Sequence, residues 1–421
     1  MRCAGFEKPG WPTDMKTVLI TGAASGIGRD TARLFSSAGW QCVLVDYNER
    51  ALRQVEQSLP APASAAHVLR TIDLTDAKQI ASLSDGTPTL DAILNNAGMS
   101  DASNTPLAEQ GPEQMGRLLA LNLAAPAAVV DACAHLLKPG ARIVNVASGA
   151  GLHAIPWRGA YSPSKAGLIA QTQALAKAHP EWCVTVLCPG FVRTELVDAL
   201  IQAGRLKPEG ALAKIPLGRM ALPDEMAQAL YFLASPGAAP LSGQTFPLNG
   251  GSSVYGGSQP LPPTTVSPQP LDMPLQLEIC GDDPAPWQAV ALEPAAGPHY
   301  PACMDLSPLQ AAPAGLLQAV HAAAARFAAR YTQQASLTLL LPAVKPDAWQ
   351  TAGDGAAARM LIATLACEWG SRALRINALE VPADIDPQSL HPLLRYACGS
   401  AAQYLTGQTL VCQSPARGDA L

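Results

Sequence analysis

Tyr161 and Lys165 lie four residues apart in the run Y-S-P-S-K, and Ser148 lies thirteen residues before Tyr161. On a helix, a four-residue spacing puts the phenol and the ammonium on one face. A free phenol has a pKa near 10, too high for a good base at neutral pH, and a nearby ammonium favours its phenolate. A serine hydroxyl is a neutral group that can orient an alcohol or carbonyl oxygen. Together the three suit moving a proton at an alcohol oxygen while a hydride leaves or arrives.

A hydride needs a carrier, and the N-terminal part of the chain offers a place for one. Gly22, Gly26 and Gly28 fall in TGAASGIG, between an expected strand at 16–21 and an expected helix running to about Gly39. Glycines there permit a tight turn and close approach of backbone to a pyrophosphate at the helix N-terminus. Asp46 ends the next expected strand, 41–46, 18 residues after Gly28. A carboxylate there accepts hydrogen bonds from both ribose hydroxyls and repels a ribose phosphate. No arginine immediately follows it, so NAD is expected rather than NADP.

These residues must be carried by elements of fixed pitch. Further strands are expected at 66–73, 90–94, 141–147 and 183–188, with helices at 113–137, 161–178 and 223–234. Strand and helix alternating in this way imply a Rossmann-like, doubly wound parallel sheet in a three-layer α/β/α arrangement.

With the motifs in place, residues 16–257 are identified as resembling the short-chain dehydrogenase/reductase superfamily. The resemblance rests on T-G-x-x-S-G-I-G, the Asn95-Asn96-Ala97-Gly98 element, Asn122, Ser148, Tyr161, Lys165 and Pro189-Gly190, in matching order and spacing. It implies Tyr161 as catalytic acid/base and Ser148 as the holder of the substrate oxygen. It implies that Lys165 binds the nicotinamide ribose and lowers the tyrosine pKa, with Asn122 in a proton relay. Asp73 and Leu74 would contact adenine, Asn95 and Gly98 would line the cofactor cleft, and Thr194 would meet the nicotinamide amide. Ser25, Ile27, Val192, Pro189 and Gly190 complete the implied cofactor set.

Substrate-facing candidates follow the strand ends: Met99, Ser100, Gly149, His153 and Trp157. Residues 195–215 are expected to form a mobile lid. Arg193, Arg205 and Lys207 are charged positions near it. None of these names a substrate. The preferred reading is an NAD-dependent interconversion of a secondary alcohol and a ketone. The alternatives are an NADH-dependent 3-oxoacyl-thioester reductase and a catalytically silent NAD-binding scaffold.

Residues 258–274, SQPLPPTTVSPQPLDMP, are rich in proline and read as a stiff extended linker between a catalytic unit at 1–257 and a second unit at 275–421. Beyond it, helices are expected at 312–331, 354–369 and 389–405, and strands at 336–341, 375–381 and 408–412. LTGQTL repeats LSGQTF of the first unit, and residues 275–415 resemble a degenerate, truncated second copy, an internal duplication. Registering Leu365-Ala366 on Leu175-Ala176 puts Thr351 at the place of Tyr161 and Gly355 at that of Lys165. No clear first strand with a glycine-rich turn is expected there, and no independent catalysis. The retained helices point to a homo-oligomer, either a dimer or a pseudo-tetrameric arrangement through the second unit.

Composition narrows the class. The chain has 421 residues, 48% hydrophobic and 14% charged, with a net charge of −5. That is enough for two units with real cores, and it argues against disorder and against nucleic-acid binding. The first 17 residues lack a long apolar run, so no signal peptide is expected, and no apolar window reads as a membrane span rather than a core element. Ten cysteines without metal-ligand spacing suggest no metal site and a reducing, cytoplasmic setting.

Overall fold

The computed structural model describes residues 15–60, 65–101, 106–202, 204, 207–291, 297–343 and 349–413. Seven strands make the first sheet: β1 (Thr17–Thr21), β2 (Gln41–Asp46), β3 (Val68–Thr71), β4 (Leu90–Asn95), β5 (Leu137–Val146), β6 (Cys183–Pro189) and β7 (Thr245–Leu248). Their order is β3-β2-β1-β4-β5-β6-β7, and every pair is parallel. β1, β2 and β6 are buried at every residue, as strands covered on both faces must be. The order reverses between β1 and β4, which opens a crevice at the C-terminal ends of those strands.

Local chemistry sets the helices. α1 (Gly26–Ser37) begins at the glycine turn. Asn48 caps α2 (Glu49–Ser58) through Ala51 N–H, and Asp76 caps α3 (Ala77–Ala81) through Lys78 N–H. The helix expected at 113–137 is one helical run of several parts. α4 (Pro112–Leu119) passes through a π turn at Ala120–Ala124 into α5 (Ala125–Cys133) and a last 3-10 turn. By length and composition Pro112–Leu136 is apolar enough to cross a membrane. In this fold it packs against α6 (Tyr161–Ala178) and the first sheet, with Val129 and Cys133 fully buried. α7 (Glu195–Gln202) and α8 (Pro208–Leu212) form the segment expected as a lid, and α9 (Pro223–Leu233) precedes β7.

The second sheet holds β8 (Leu275–Cys280), β9 (Tyr300–Asp305), β10 (Ala335–Pro342), β11 (Leu374–Val381) and β12 (Thr409–Val411), all parallel. From β8 onward its order is β8-β9-β10-β11-β12, the pattern of β1-β4-β5-β6-β7 without partners for β2 and β3. The registers also agree. Val186 pairs with Thr245 as Ala378 pairs with Thr409. Gly243 N–H donates to Val184 C=O as Gly407 N–H donates to Ile376 C=O. Two strands here, β8 and β9, depart from the sequence expectation. Gly281-Asp282-Asp283 follows β8 where the first unit has its glycine turn, so the motif that flags a first strand is gone. In the same register Ser148 corresponds to Pro342. α12 (Trp349–Trp369), which carries Thr351 and Gly355, has neither tyrosine nor lysine.

The remaining helices of this unit are α10 (Ser307–Gln310), α11 (Leu316–Arg330) and α13 (Pro387–Cys398). Arg375 is 1% exposed and has no carboxylate partner among the described residues. It donates to the carbonyls of Ala397, Cys398, Gly399, Ala402 and Leu405 and to the Tyr300 hydroxyl. A cation there caps the C-terminus of α13, where carbonyls lack partners and the helix dipole is negative.

The two sheets share an apolar core. Leu230, Leu233 and Phe246 of the first unit join Leu390, Leu394 and Tyr404 of the second. Burying each such side chain contributes roughly 2 kcal/mol. α13 packs on the 3-10 turn after α9, and α9 packs on the turn after α13. The proline-rich segment is docked rather than a free spacer. Leu261 N–H donates to Ala213 C=O, Thr264 to Ser371 C=O, and Gln269 exchanges two bonds with Gln403.

Candidate active site

The glycine turn closes tightly. A Cβ on Gly28 would lie 2.1 Å from Gly22 O, and Gly22 and Gly26 have φ of +67° and +51°. The result is a helix N-terminus without side chains at the turn, where backbone can approach an anion closely. Asn96 braces the turn by donating to Thr21 and Gly22 carbonyls. Asp46 ends β2 beside it and accepts from Ala24 N–H at 3.1 Å and Asn48 N–H at 3.0 Å. Asp73 is exposed and accepts from Thr75, while Leu74 is buried beneath it. Thr194 lies against Gly26: a Cβ there would be 3.3 Å from its methyl. Val192 bridges to Ala221 and is buried. Ser25 and Ile27 flank Gly26, and Pro189-Gly190 end β6 over Asn249. This cradle fits a dinucleotide in its tight turn and in the carboxylate at the second strand, and the Gly26 N–H at the helix N-terminus is held by the Glu195 carboxylate.

Ser148 leaves the end of β5 and accepts from Ala150 N–H, starting a 3-10 turn at Gly149–Gly151. Tyr161 begins α6 and is hydrogen-bonded to Ser148. Burial pushes the Tyr161 phenol above its ordinary value, against the lowering effects of Ser148 and of nearby Arg158. Lys165, one turn on, is fully inside. It donates to Val146 C=O at 2.9 Å, and burial lowers it to about 8. In the free protein, then, Tyr161 is raised, where the resemblance implied a lowered phenol.

Asn122 is completely buried in the π turn. It accepts from Met99 N–H at 2.9 Å and donates to Met99 C=O at 2.8 Å and to the Ser164 hydroxyl at 3.1 Å. Ser164 in turn donates to Tyr161 C=O. The extra residue in the helix re-aims this amide, a common use of π turns. Gly98 closes the group. A Cβ there would meet Lys165 Nζ at 3.2 Å and Asn122 Oδ1 at 3.3 Å.

The structure thus brings Ser148, Tyr161, Lys165, Gly98 and Asn122 together. Asn95 is different. Its side chain is 2% exposed and donates to Asn145 and to Pro126 C=O, so it ties β4 to β5 and does not line an open cleft. It is the last residue of β4, and its side chain faces into the sheet, toward β5. Ser100 is exposed, Gly149 sits under Pro189, and His153 is exposed with its ring on Ser253 C=O at 3.0 Å. Trp157 has φ +65° and is 57% exposed, an apolar ring held in strained backbone. Arg193 is paired with Asp198, Lys207 precedes α8, and Arg205 lies outside the described residues.

Two features escaped the sequence reading. Ser164 was visible, three residues after Tyr161, but its value depends on the π turn opposite. Arg29 and Glu195 form an ion pair at 2.5 Å that fastens α7 to the cofactor helix, and nothing in either local sequence announces it.

Comparisons with known proteins agree with this geometry. A family model described as Enoyl-(Acyl carrier protein) reductase matches residues 22–253. An uncharacterized short-chain type dehydrogenase/reductase from Sinorhizobium fredii is 38% identical over 245 residues, covering 56% of this chain and 43% of that protein. The chain therefore spans less than half of that relative. The 3-oxoacyl-[acyl-carrier-protein] reductase FabG of Rickettsia prowazekii is 32% identical over 240 residues, covering 56% of this chain and 96% of that protein. Among solved structures, a putative NAD(P) dependent gluconate 5-dehydrogenase from Beutenbergia cavernae is 28% identical. It superposes with a TM-score of 0.51 over 57% of this chain and 97% of that one. The glycine cradle and the serine–tyrosine–lysine cluster, together with these matches, place the chain in the short-chain dehydrogenase/reductase family, as an NAD(P)-dependent oxidoreductase of a carbonyl/alcohol pair.

Proposed function

We propose that the protein oxidises a secondary alcohol, or reduces the matching ketone, with NAD(H), using Tyr161 as acid/base. The hydrogen-bonded Ser148–Tyr161 pair over buried Lys165 carries this reading. Bound nicotinamide supplies or accepts the hydride. Ser148 holds the substrate oxygen, and Tyr161 takes its proton in oxidation or gives one in reduction. Lys165 supplies positive charge beside them, and Asn122, through Met99 and Ser164, keeps the pocket wall and the start of α6 in place. Asp46 supports NAD over NADP, because a ribose phosphate would meet a carboxylate already fixed by two amides.

A second reading is reduction of a 3-oxoacyl thioester, the reaction named for the FabG relative. Against it, Arg193 near the lid is already paired with Asp198 and offers less to an acidic carrier. A silent NAD-binding scaffold is the third reading, and the intact Ser148, Tyr161 and Lys165 speak against it.

The second unit, residues 275–421 after the 258–274 linker, reads as a truncated copy of the first that has lost catalysis. The matched strand order and register support this, as do the two aspartates after β8, which would repel a pyrophosphate. It stands on α9 and β7 as a built-in imitation subunit, and the whole chain forms a homo-oligomer. Every cysteine among the described residues is a free thiol, which fits a cytoplasmic setting.

The test is turnover in both directions, with NAD(H) and NADP(H), on secondary alcohols, sugars, dihydrodiols and oxoacyl thioesters. NAD-preferring oxidation of an alcohol supports the reading. Reduction of thioesters alone supports the second, and cofactor binding without turnover on any class supports the scaffold.

A further inference from the structure

We infer that the second unit positions the substrate loop of the first, with Tyr404 and Gln408 as positioning residues. The inference rests on the reading of Ser148, Tyr161 and Lys165 as the reaction site.

The loop between Ser148 and Tyr161 is anchored within the first unit at its start and toward α6, where Ile155 N–H donates to the Ser162 hydroxyl and Arg158 to Asp101 C=O. Gly151 N–H donates to Ser148 C=O and Leu152 and His153 N–H to Gly149 C=O, which fixes the first turn. Between these anchors lies His153, an exposed side chain outside any helix or strand, whose Nε2 lies 3.0 Å from Ser253 C=O. The ring therefore donates from Nε2, and this bond ties the loop to Ser253.

Ser253 follows β7 in the segment 249–254, and the second unit grips that segment three times. Gly250 N–H donates to Tyr404 C=O at 3.1 Å. Gln408 Nε2 lies 3.4 Å from Ser253 Oγ, steadied by a second bond to Thr406 C=O at 3.0 Å. Val254 lies so close to Gly407 that a Cβ there would come within 2.8 Å of its methyl.

Tyr404 reaches the other wall as well. Its ring is fully buried against Gly250, its hydroxyl donates to Arg219 C=O at 3.0 Å, and Arg219 lies over the ring. Leu217 N–H donates to Gly250 C=O, so the return of the lid and the segment carrying His153 meet at one tyrosine of the second unit. Tyr161 and Lys165, by contrast, are set by α6 within the first sheet. Loosening Tyr404 or Gln408 should therefore affect how substrate is held more than how the proton moves, since small misplacements of a positioning wall weaken productive binding.

The test uses the full chain, hydrogen–deuterium exchange read by mass spectrometry, and ethyl acetoacetate with NADH as a ketone probe. In Gln408→Ala, peptides covering 149–157 and 249–255 should exchange several-fold faster, and in Tyr404→Phe, which keeps the Gly250–Tyr404 backbone bond and loses the bond to Arg219 C=O, the peptide covering 217–222 should do so, with β1 and β4 unchanged in both. KM for the ketone should rise several-fold while kcat stays within about twofold. Ser253→Ala should reproduce Gln408→Ala, and the double variant should add nothing further. Unchanged exchange at 149–157 in Gln408→Ala and Ser253→Ala would overturn the inference, as would kcat falling at constant KM. If Tyr404→Phe unfolds the second unit, seen as lost protection in β8–β10, the Ser253→Ala variant decides. Tyr161→Phe is the control: a failure of the reaction reading shows there as retained turnover and leaves the exchange result standing by itself.

Discussion

Phe232 of α9 and Tyr396 of α13 stack face to face, with ring centroids 4.1 Å apart and planes 2° apart. They are as far apart in sequence as Leu241 and Leu405 of the repeated LSGQTF and LTGQTL (396 − 232 = 405 − 241 = 164). On the proposed duplication each ring meets its own counterpart, as residues on a two-fold axis do. The neighbouring bonds nearly exchange as well: Gly250 N–H to Tyr404 C=O, and Gln413 N–H to Pro240 C=O. The pair gives the built-in subunit reading its geometry.

The two stacked rings differ by one atom. The Tyr396 hydroxyl is buried with no hydrogen-bond partner among the described residues. An unpartnered buried hydroxyl costs on the order of 1–3 kcal/mol. Tyr396→Phe should therefore stabilise the chain by about 1 kcal/mol and make the stacked pair identical. A urea midpoint that rises supports this; a midpoint that falls means the hydroxyl has a partner.

Arg375 should be the least replaceable residue of the second unit. Arg375→Met removes the donor for five carbonyls at and beyond the end of α13 and leaves them buried. The expected loss exceeds about 3 kcal/mol. Urea denaturation read by tryptophan fluorescence would show it, and an unchanged midpoint would contradict the capping role.

Lys165 should show the opposite trade. Burial lowers it from 10.5 to about 8 in the folded chain without cofactor. Below pH 8 it is protonated in both states, and the cost of the buried charge is present in full. Between pH 8 and 10.5 the unfolded chain binds more protons, so stability rises with pH, and above 10.5 the cost is gone. Lys165→Met should thus raise stability at pH 7 by up to about 3 kcal/mol while abolishing turnover. The gain should shrink at pH 9.5. A gain equal at both values would show that packing, not charge, is responsible.

Cofactor choice should follow Asp46. Asp46→Ser removes the charge facing the ribose, and the preference for NADH over NADPH should fall at least about tenfold. Fluorescence titration with each cofactor measures it. An unchanged ratio would leave Asp46 as a brace for the glycine turn through Ala24 N–H and nothing more.

The legible part of this chain was the part whose signals are local. Tyr161 and Lys165 share a helix face by spacing alone, and β1, β2 and β6 are apolar runs ending in glycine or aspartate. What was hidden depends on distant partners or on a lost motif. β8 and β9 carry no local signal, because Gly281-Asp282-Asp283 does not read as a cofactor turn. Asn95 was placed in the cleft because strand-end position is visible in sequence but facing is not, and Asn145 claims its amide. The role of Ser164 required the π turn at Asn122, which shifts an amide by one residue without any sequence mark. The linker reads as a stiff spacer by its prolines, yet Leu261, Thr264 and Gln269 find partners on both units.

The most direct measurement is the turnover of Tyr161→Phe beside the wild-type chain, with NADH binding followed in parallel. Removing one hydroxyl from the acid/base leaves the ring, the glycine cradle and Lys165 in place. Turnover should fall by at least about a thousandfold, with NADH affinity within about twofold of wild type. A variant that keeps more than about a tenth of the activity would contradict the assignment of proton transfer to Tyr161.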